Sequence, residues 1–111
     1  MSFTIFTTKE FDNDFSKLDN SEQLRINKIL KQLKESNGDV GKYLAGLSFF
    51  REKKFDGKRI YFLIYNSINT ILVIAISDKK AQQSTINQIL RELADYQHYI
   101  YEVINRIKDE V

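Results

Sequence analysis

The residue types in this chain that could do chemistry are few, and most of them are cations. Its 111 residues include no Cys and a single His, His98. Without Cys the chain can form no disulfide, no thiolate zinc site and no Cys nucleophile, and one His excludes a two-His metal site. We therefore expect neither a metal ion nor a cofactor.

The cations are concentrated in the middle of the chain. The net charge is −1 over residues 1–40, +5 over residues 41–80 and −2 over residues 81–111, which gives the +2 of the whole chain. A local basic patch is typical of nucleic-acid or phosphate binding. The same cations could instead only keep exposed strands soluble, and charge alone leaves both interpretations open.

Three features of the first 40 residues predict the elements that precede these cations. Alternating β-formers predict a strand over residues 3–7. Thr8 is a suitable N-cap for a first short helix, and Asn20 with Gln23 resembles a capping box for a second one that ends near Gly38. The two helices should form a helical hairpin.

The pattern then changes to that of strands. Residues 47–55 and 59–65 flank Asp56-Gly57, a dipeptide that favours a type I′ hairpin turn. A further apolar run, residues 70–77, completes a three-stranded antiparallel meander. The longest apolar run, Ile60 to Tyr65, is far shorter than the roughly 18 residues of a membrane span. We see no signal peptide and expect a cytoplasmic protein without membrane contact.

The C-terminal segment predicts a long helix from about residue 82 to 111, with a heptad seam of apolar residues. About 28 helical residues would measure about 40 Å, more than a domain of this size can cover. The helix should therefore bend back or pack on a second chain through residues 96–111, while the simpler alternative is that it covers one sheet face. The polar seam residue, Gln97, would be a register device in self-association. The seam consists of Ile86, Leu90, Leu93, Gln97, Ile100, Ile104, Ile107 and Val111.

The order β-α-α-β-β-β-α, combined with four segments, resembles the RelE/ParE toxin superfamily. The segments are Leu44-Ala-Gly-Leu47, Phe49-Phe-Arg-Glu-Lys-Lys-Phe55, Lys58-Arg-Ile-Tyr-Phe-Leu-Ile-Tyr65 and Ile74-Ala-Ile-Ser-Asp-Lys-Lys-Ala-Gln-Gln83. The last of them, with Leu90 to Tyr96, looks most like the HigB-like, phage-derived branch. The resemblance covers residues 3–96. It implies one α+β domain over residues 1–111, with a helical extension from about 97 to 111.

The resemblance also implies a function. Such a protein is the toxin of a type II toxin–antitoxin system, with a cognate antitoxin as its partner. It would be a ribosome-dependent mRNA endonuclease, an enzyme that works without a metal. Two alternatives remain open: a ParE-type inhibitor of DNA gyrase, and a nontoxic homologue that only binds the antitoxin.

Cleavage by in-line attack needs a base for the 2′-OH, a cation for the phosphorane and an acid for the 5′-oxygen. In this family basic residues on the sheet do this work, because crowding by other cations lowers the pKa of a lysine and arginine binds phosphate well. Alternation places Arg51 and Lys53 on one face, and Arg59 on the paired strand could approach that face. By resemblance the catalytic residues are Arg51, Lys53, Arg59 and Lys80. The predicted RNA-binding residues are Lys54, Lys58, Tyr61 and Lys79.

Two of these assignments have alternatives in the sequence. Tyr61 could stack on a base or lie in the core with a hydrogen-bonded hydroxyl. Active RelE-type enzymes carry a Tyr where this chain has Ile86, a departure that favours the nontoxic alternative. The nearest downstream candidates are Tyr96, His98 and Tyr99; of these, His98 is the candidate acid or base, although a lone His on a helix is more often a surface residue.

Overall fold

A computed structural model describes residues 3–109, which form one mixed β-sheet with two helices on each face. A short 3-10 turn, Asn66–Ile68, joins the two central strands. In chain order the other elements are β1 (Thr4–Thr7), α1 (Lys9–Ser16), α2 (Asn20–Glu35), β2 (Lys42–Leu44), β3 (Leu47–Phe55), β4 (Lys58–Tyr65), β5 (Thr70–Asp78), α3 (Gln82–Arg91) and α4 (Leu93–Asp109).

The strands are arranged in the order β1-β5-β4-β3-β2. The antiparallel meander β3-β4-β5 is confirmed, as is the α+β fold with an N-terminal helical hairpin. The sheet differs from the prediction at both edges, because β1 pairs with β5 in parallel and β2 pairs with β3. The sequence did not indicate β2, since three residues are too few to show a period of two.

Two-residue turns set the geometry of the hairpins. Asp56 and Gly57 have φ angles of 46° and 75°, both in the left-handed region that a type I′ turn requires. Ala45 and Gly46, with φ angles of 53° and 70°, connect β2 to β3 in the same manner. Both turns therefore fix the register of the strands that they join.

The sheet separates two apolar cores. On one face, Ile60, Phe62 and Ile64 of β4 pack against residues of α1 and α2 such as Phe11 and Ile26. Their neighbours along β4 point to the other face, where residues of α3 and α4 cover them. Because both faces of β4 are covered, this strand consists of apolar and aromatic residues from Ile60 to Tyr65, as its sequence indicates.

Side-chain caps fix where the first two helices begin. Thr8 caps α1 as predicted, with its Oγ1 accepting from the Phe11 N–H at 3.0 Å. The capping box of α2 lies one residue earlier than predicted: Asp19 Oδ1 accepts from the Glu22 N–H at 2.8 Å, and Glu22 Oε1 accepts from the Asp19 N–H at 3.4 Å. Asn20 is already helical, so it cannot be the cap.

The predicted long C-terminal helix is confirmed as α4, but the helical segment is divided in two, because the chain breaks at Glu92 between α3 and α4. The Glu92 N–H is shared by the carbonyls of Gln88 and Ile89, at 3.2 and 3.1 Å, which tightens and ends the last turn of α3. A bend is one of the two outcomes that we expect for a helix too long for a domain of this size. The last seam position, Val111, lies outside the described residues. Within residues 3–109, no helix has the length and apolar character needed to cross a membrane.

Candidate functional site

The register of the β3–β4 hairpin divides the predicted site cations between the two faces of the sheet. Lys54 lies opposite Arg59, and both residues therefore point toward the side of α3 and α4. Arg51 lies opposite Phe62, and Lys53 lies opposite Ile60, which places both on the side of α1 and α2. The expectation that Arg59 shares a face with Arg51 and Lys53 is therefore wrong.

Five polar residues lie together on the face of Arg59, and we call them the Arg59 cluster: Glu52, Arg59, Tyr61, Ser77 and Gln82. Glu52 is 1% exposed, and both of its carboxylate oxygens accept from the Gln82 side-chain amide at 3.0 Å. Arg59 is 6% exposed, with its Nε 4.0 Å from Glu52 Oε1. That Nε has no hydrogen-bond partner among the described residues.

Tyr61 closes the floor of the cluster. Its ring is fully buried, and a hydrogen bond of 2.7 Å joins its hydroxyl to Ser77 Oγ. Burial raises the pKa of the Tyr61 hydroxyl. The base-stacking interpretation of Tyr61 is wrong, since a ring inside the core presents no face to a nucleotide. The core alternative, with a hydrogen-bonded hydroxyl, is confirmed.

Arg51 is engaged in contacts within the chain. Its Nε donates to the Ser48 carbonyl at 2.9 Å, and one terminal nitrogen donates to Asp39 Oδ1 at 3.0 Å. Its guanidinium carbon lies 4.4 Å from the centre of the Tyr43 ring, within cation–π range. Arg51 thus ties the segment before β3 to the sheet, away from the Arg59 cluster.

The predicted RNA-binding lysines have different surroundings. Lys58 donates to Glu22 Oε2 at 2.6 Å, so it ties β4 to α2. Lys54 is exposed beside Arg59, and Lys79 and Lys80 are exposed in the turn from β5 to α3. Among residues 3–109, neither these three lysines nor Lys53 forms an ion pair.

His98 is exposed on α4, where its Nε2 lies 3.2 Å from Glu102 Oε1. Within the described part of the chain, none of its hydrogen bonds or ion pairs reaches the Arg59 cluster. Tyr96 donates its hydroxyl to Glu92, and burial together with this bond raises the pKa of that hydroxyl. Ile86 is buried against the sheet, as expected for an apolar residue at that position on α3.

The sequence contained a signal for the Arg59 cluster that our prediction did not use. A two-residue turn at Asp56-Gly57 pairs Phe55 with Lys58, so Lys54 must pair with Arg59. Alternation then places Glu52 on the same face. The roles of Ser77 and Gln82 had no such signal, because they depend on where β5 and α3 lie in the tertiary structure.

A surface cleft adjoins the cluster at Gln82. It runs between β2 and the first turns of α3 and is lined by Lys42, Tyr43, Leu44, Gln82, Gln83 and Ile86, among others. Lys42 lies opposite Glu52 in the β2–β3 register and so adds a cation to this face. Within residues 3–109, no group of three His, Asp or Glu side chains is arranged to hold a metal ion.

No protein-family model and no curated protein sequence matches the chain. Solved structures do match it. A mutant of E. coli toxin RelE in the free state is 18% identical with a TM-score of 0.67, over 79% of this chain and 93% of that one. The toxin–antitoxin complex RelBE of E. coli matches with 17% identity and a TM-score of 0.62, over 68% and 95% of the two chains. A RelBE complex of Mycobacterium tuberculosis matches with 17% identity and a TM-score of 0.61, over 71% and 100%.

These neighbours confirm the predicted RelE/ParE-like fold. At such low identity the likeness concerns the fold alone, so the roles of individual residues must be argued from this chain's own geometry. The assignment to the HigB-like branch stays a prediction.

Proposed function

We propose that this chain is the toxin of a type II toxin–antitoxin pair and that it cleaves mRNA on the ribosome. The observation that carries the proposal is the cross-strand pair of Lys54 and Arg59, which lies beside the β3–β4 turn of a RelE-like sheet. Two of the similar structures are complexes of a toxin with its antitoxin, which supports an antitoxin as the partner. We expect this partner and the mRNA to compete for the same basic face.

The chemistry we propose uses cations on one face only. Side chains directly opposite each other on paired strands have Cβ atoms about 5 Å apart, so Lys54 and Arg59 can contact one phosphate together. Arg59 would neutralise the phosphorane through its guanidinium, and Lys54 would be the general base that accepts the proton of the 2′-OH. Lys80 would protonate the 5′-oxygen, while Lys79 binds a neighbouring phosphate. In this scheme Arg51 and Lys53 have no contact with the RNA.

The direct test maps mRNA 5′ ends in bacterial cells after brief induction of the chain. We expect new ends within codons that are being translated. Lys54→Ala and Arg59→Ala should each reduce these ends by about 100-fold or more, the usual cost of removing a preorganised group that stabilises transition-state charge. Lys28→Ala is the matched control, because Lys28 is an exposed lysine on α2.

Variants of two adjacent lysines test the assignment of faces. Lys53 and Lys54 are neighbours in sequence but point to opposite sides of the sheet. If Lys53→Ala abolishes cleavage and Lys54→Ala does not, the RNA lies on the side of α1 and α2, and our scheme is wrong. Circular dichroism of each purified variant checks that it is folded.

Two other results would replace the proposal. Growth arrest with intact mRNA and an induced DNA-damage response would identify a gyrase inhibitor. Absence of growth arrest, with retained binding to the product of the neighbouring gene, would identify the nontoxic homologue. One observation favours this second candidate: the Glu52 carboxylate lies beside Arg59. The sequence resemblance points the same way, because it matches Ile86 to a Tyr of active members of the family.

A further inference from the structure

Glu52 is an unexpected residue at the centre of a basic face. It is 1% exposed on β3, a strand whose neighbouring residues include Arg51, Lys53 and Lys54. Burial of a carboxylate is costly unless hydrogen bonds and a countercharge compensate for the lost water. Any role for Glu52 must therefore be sought in the groups that it contacts.

Those contacts show an incomplete ion pair. Both Glu52 oxygens accept from the Gln82 amide at 3.0 Å, whereas the nearest Arg59 nitrogen is 4.0 Å away, beyond hydrogen-bond distance. A satisfied Arg–carboxylate pair would have N–H···O distances of about 2.7–2.9 Å. Glu52 thus supplies a countercharge to Arg59, and the buried Nε of Arg59 remains without a hydrogen-bond partner in residues 3–109.

We infer that Arg59 forms an anion site for a phosphodiester group and that Glu52, held by Gln82, is its built-in counter-ion. The inference rests on the proposed function, in that RNA is the source of the phosphate. Glu52 keeps the guanidinium neutralised and withdrawn while no RNA is bound. The Glu52 carboxylate repels an incoming phosphate and competes with it for Arg59. Glu52 therefore lowers the RNA affinity of the free protein.

The link to Gln82 makes this site depend on α3. Gln82 is the first residue of α3, and its amide is the hydrogen-bond donor that fixes both oxygens of Glu52. The same end of α3 lines the cleft that opens beside the cluster. A ligand that shifts the start of α3 would therefore release Glu52 from its position beside Arg59.

The test measures binding of a fluorescently labelled single-stranded RNA by anisotropy as a function of salt concentration. Glu52→Gln keeps the shape of the side chain and removes its charge. We expect it to bind RNA at least about fivefold more tightly at low salt, because a unit charge at about 4 Å has this effect even in bulk water. The slope of log K against log salt should steepen by about 0.7, the value for one additional phosphate contact on a single strand.

Two further variants separate the local effect from net charge. Glu35→Gln removes the same charge from an exposed position on α2, and it should change the affinity less than about twofold because such charges are screened. Adding Arg59→Ala to Glu52→Gln should cancel the gain. If Glu52→Gln does not fold, Glu52→Met removes the charge with a side chain that tolerates burial.

The outcomes distinguish this inference from the proposed function. Unchanged or weaker RNA binding by Glu52→Gln, or a gain that survives the loss of Arg59, overturns the inference. A gain that requires Arg59, without mRNA cleavage in cells, supports the anion site and refutes the endonuclease. If no variant binds RNA, the counter-ion role is tested by NMR, from the rate at which the Arg59 Nε–H exchanges with solvent. Faster exchange in Glu52→Gln than in the parent supports the counter-ion role, and equal rates contradict it.

Discussion

Glu10 is a residue whose charge the folded chain disfavours. It lies in the first turn of α1 and lines an apolar groove with Asp95, Tyr96 and other residues. Burial first, and then the carboxylates of Asp14 and Glu92, raise its pKa. Because the pKa is higher in the folded state, the folded chain holds its proton more firmly, and stability decreases as pH rises through the folded-state pKa.

This shift leads to a prediction about Glu10→Gln. At pH 7 the variant should be more stable than the parent, by less than about 1 kcal/mol because the group is largely solvated. The advantage should disappear below about pH 4, where Glu10 is protonated in both states. Urea unfolding at several pH values measures the difference. Glu35→Gln is the control and should show little change, and an equal gain at pH 3 and pH 7 would contradict the explanation.

Single residues also show what the sequence could reveal about the site. Alternation correctly placed Arg51 and Lys53 on one face, and the Asp56-Gly57 turn contained the register that places Arg59 on the other. The burial of Tyr61 was one of two alternatives that the sequence left open, whereas the contact of Gln82 with Glu52 could not be predicted, because it depends on how α3 packs on the sheet. The polar cluster of the site is therefore a tertiary property.

At the scale of elements, periodicity predicted every strand and helix of more than three residues, but it did not predict the end of α3. The heptad seam continues through the break at Glu92, and its members Ile86 of α3 and Ile100 of α4 are buried in the same core. A helix that follows a curved core must bend. The local spacing of apolar residues contains no information about the residue at which the bend lies. The break allows α4 to insert Ile100 into the core beside Ile86 and Ile89.

Ile100 should therefore anchor α4. It is the only fully buried residue on the described part of that helix. We expect Ile100→Ala to lower the free energy of unfolding by roughly 2–5 kcal/mol, the cost of the lost apolar contacts and the cavity left behind. Leu24→Ala, at an exposed leucine on α2, should cost less than about 1 kcal/mol. Equal losses in the two variants, measured by urea unfolding, would show that α4 is not anchored there.

At the scale of the whole molecule, Tyr101 packs on Tyr65 of β4, but the described part of α4 beyond it contributes no residue to the buried core. None of the residues from 101 to 109 is buried, yet they include the apolar Val103, Ile104 and Ile107. This segment also has two charges of each sign: Glu102, Arg106, Lys108 and Asp109. Two copies of α4 packed in antiparallel orientation would cover the apolar residues and place opposite charges near each other.

Self-association through this segment is therefore our last prediction. The chain should sediment as a dimer at high concentration and as a monomer on dilution. The apolar strip formed by Val103, Ile104 and Ile107 is short, so the interface between two copies is small. Ile107→Asp should abolish the dimer, since it places a charge on that strip. Leu24→Asp places the same charge on a more exposed apolar position of α2, and it should leave the dimer intact. A parent chain that is monomeric at every concentration, or that loses its dimer with Leu24→Asp, would refute the assignment.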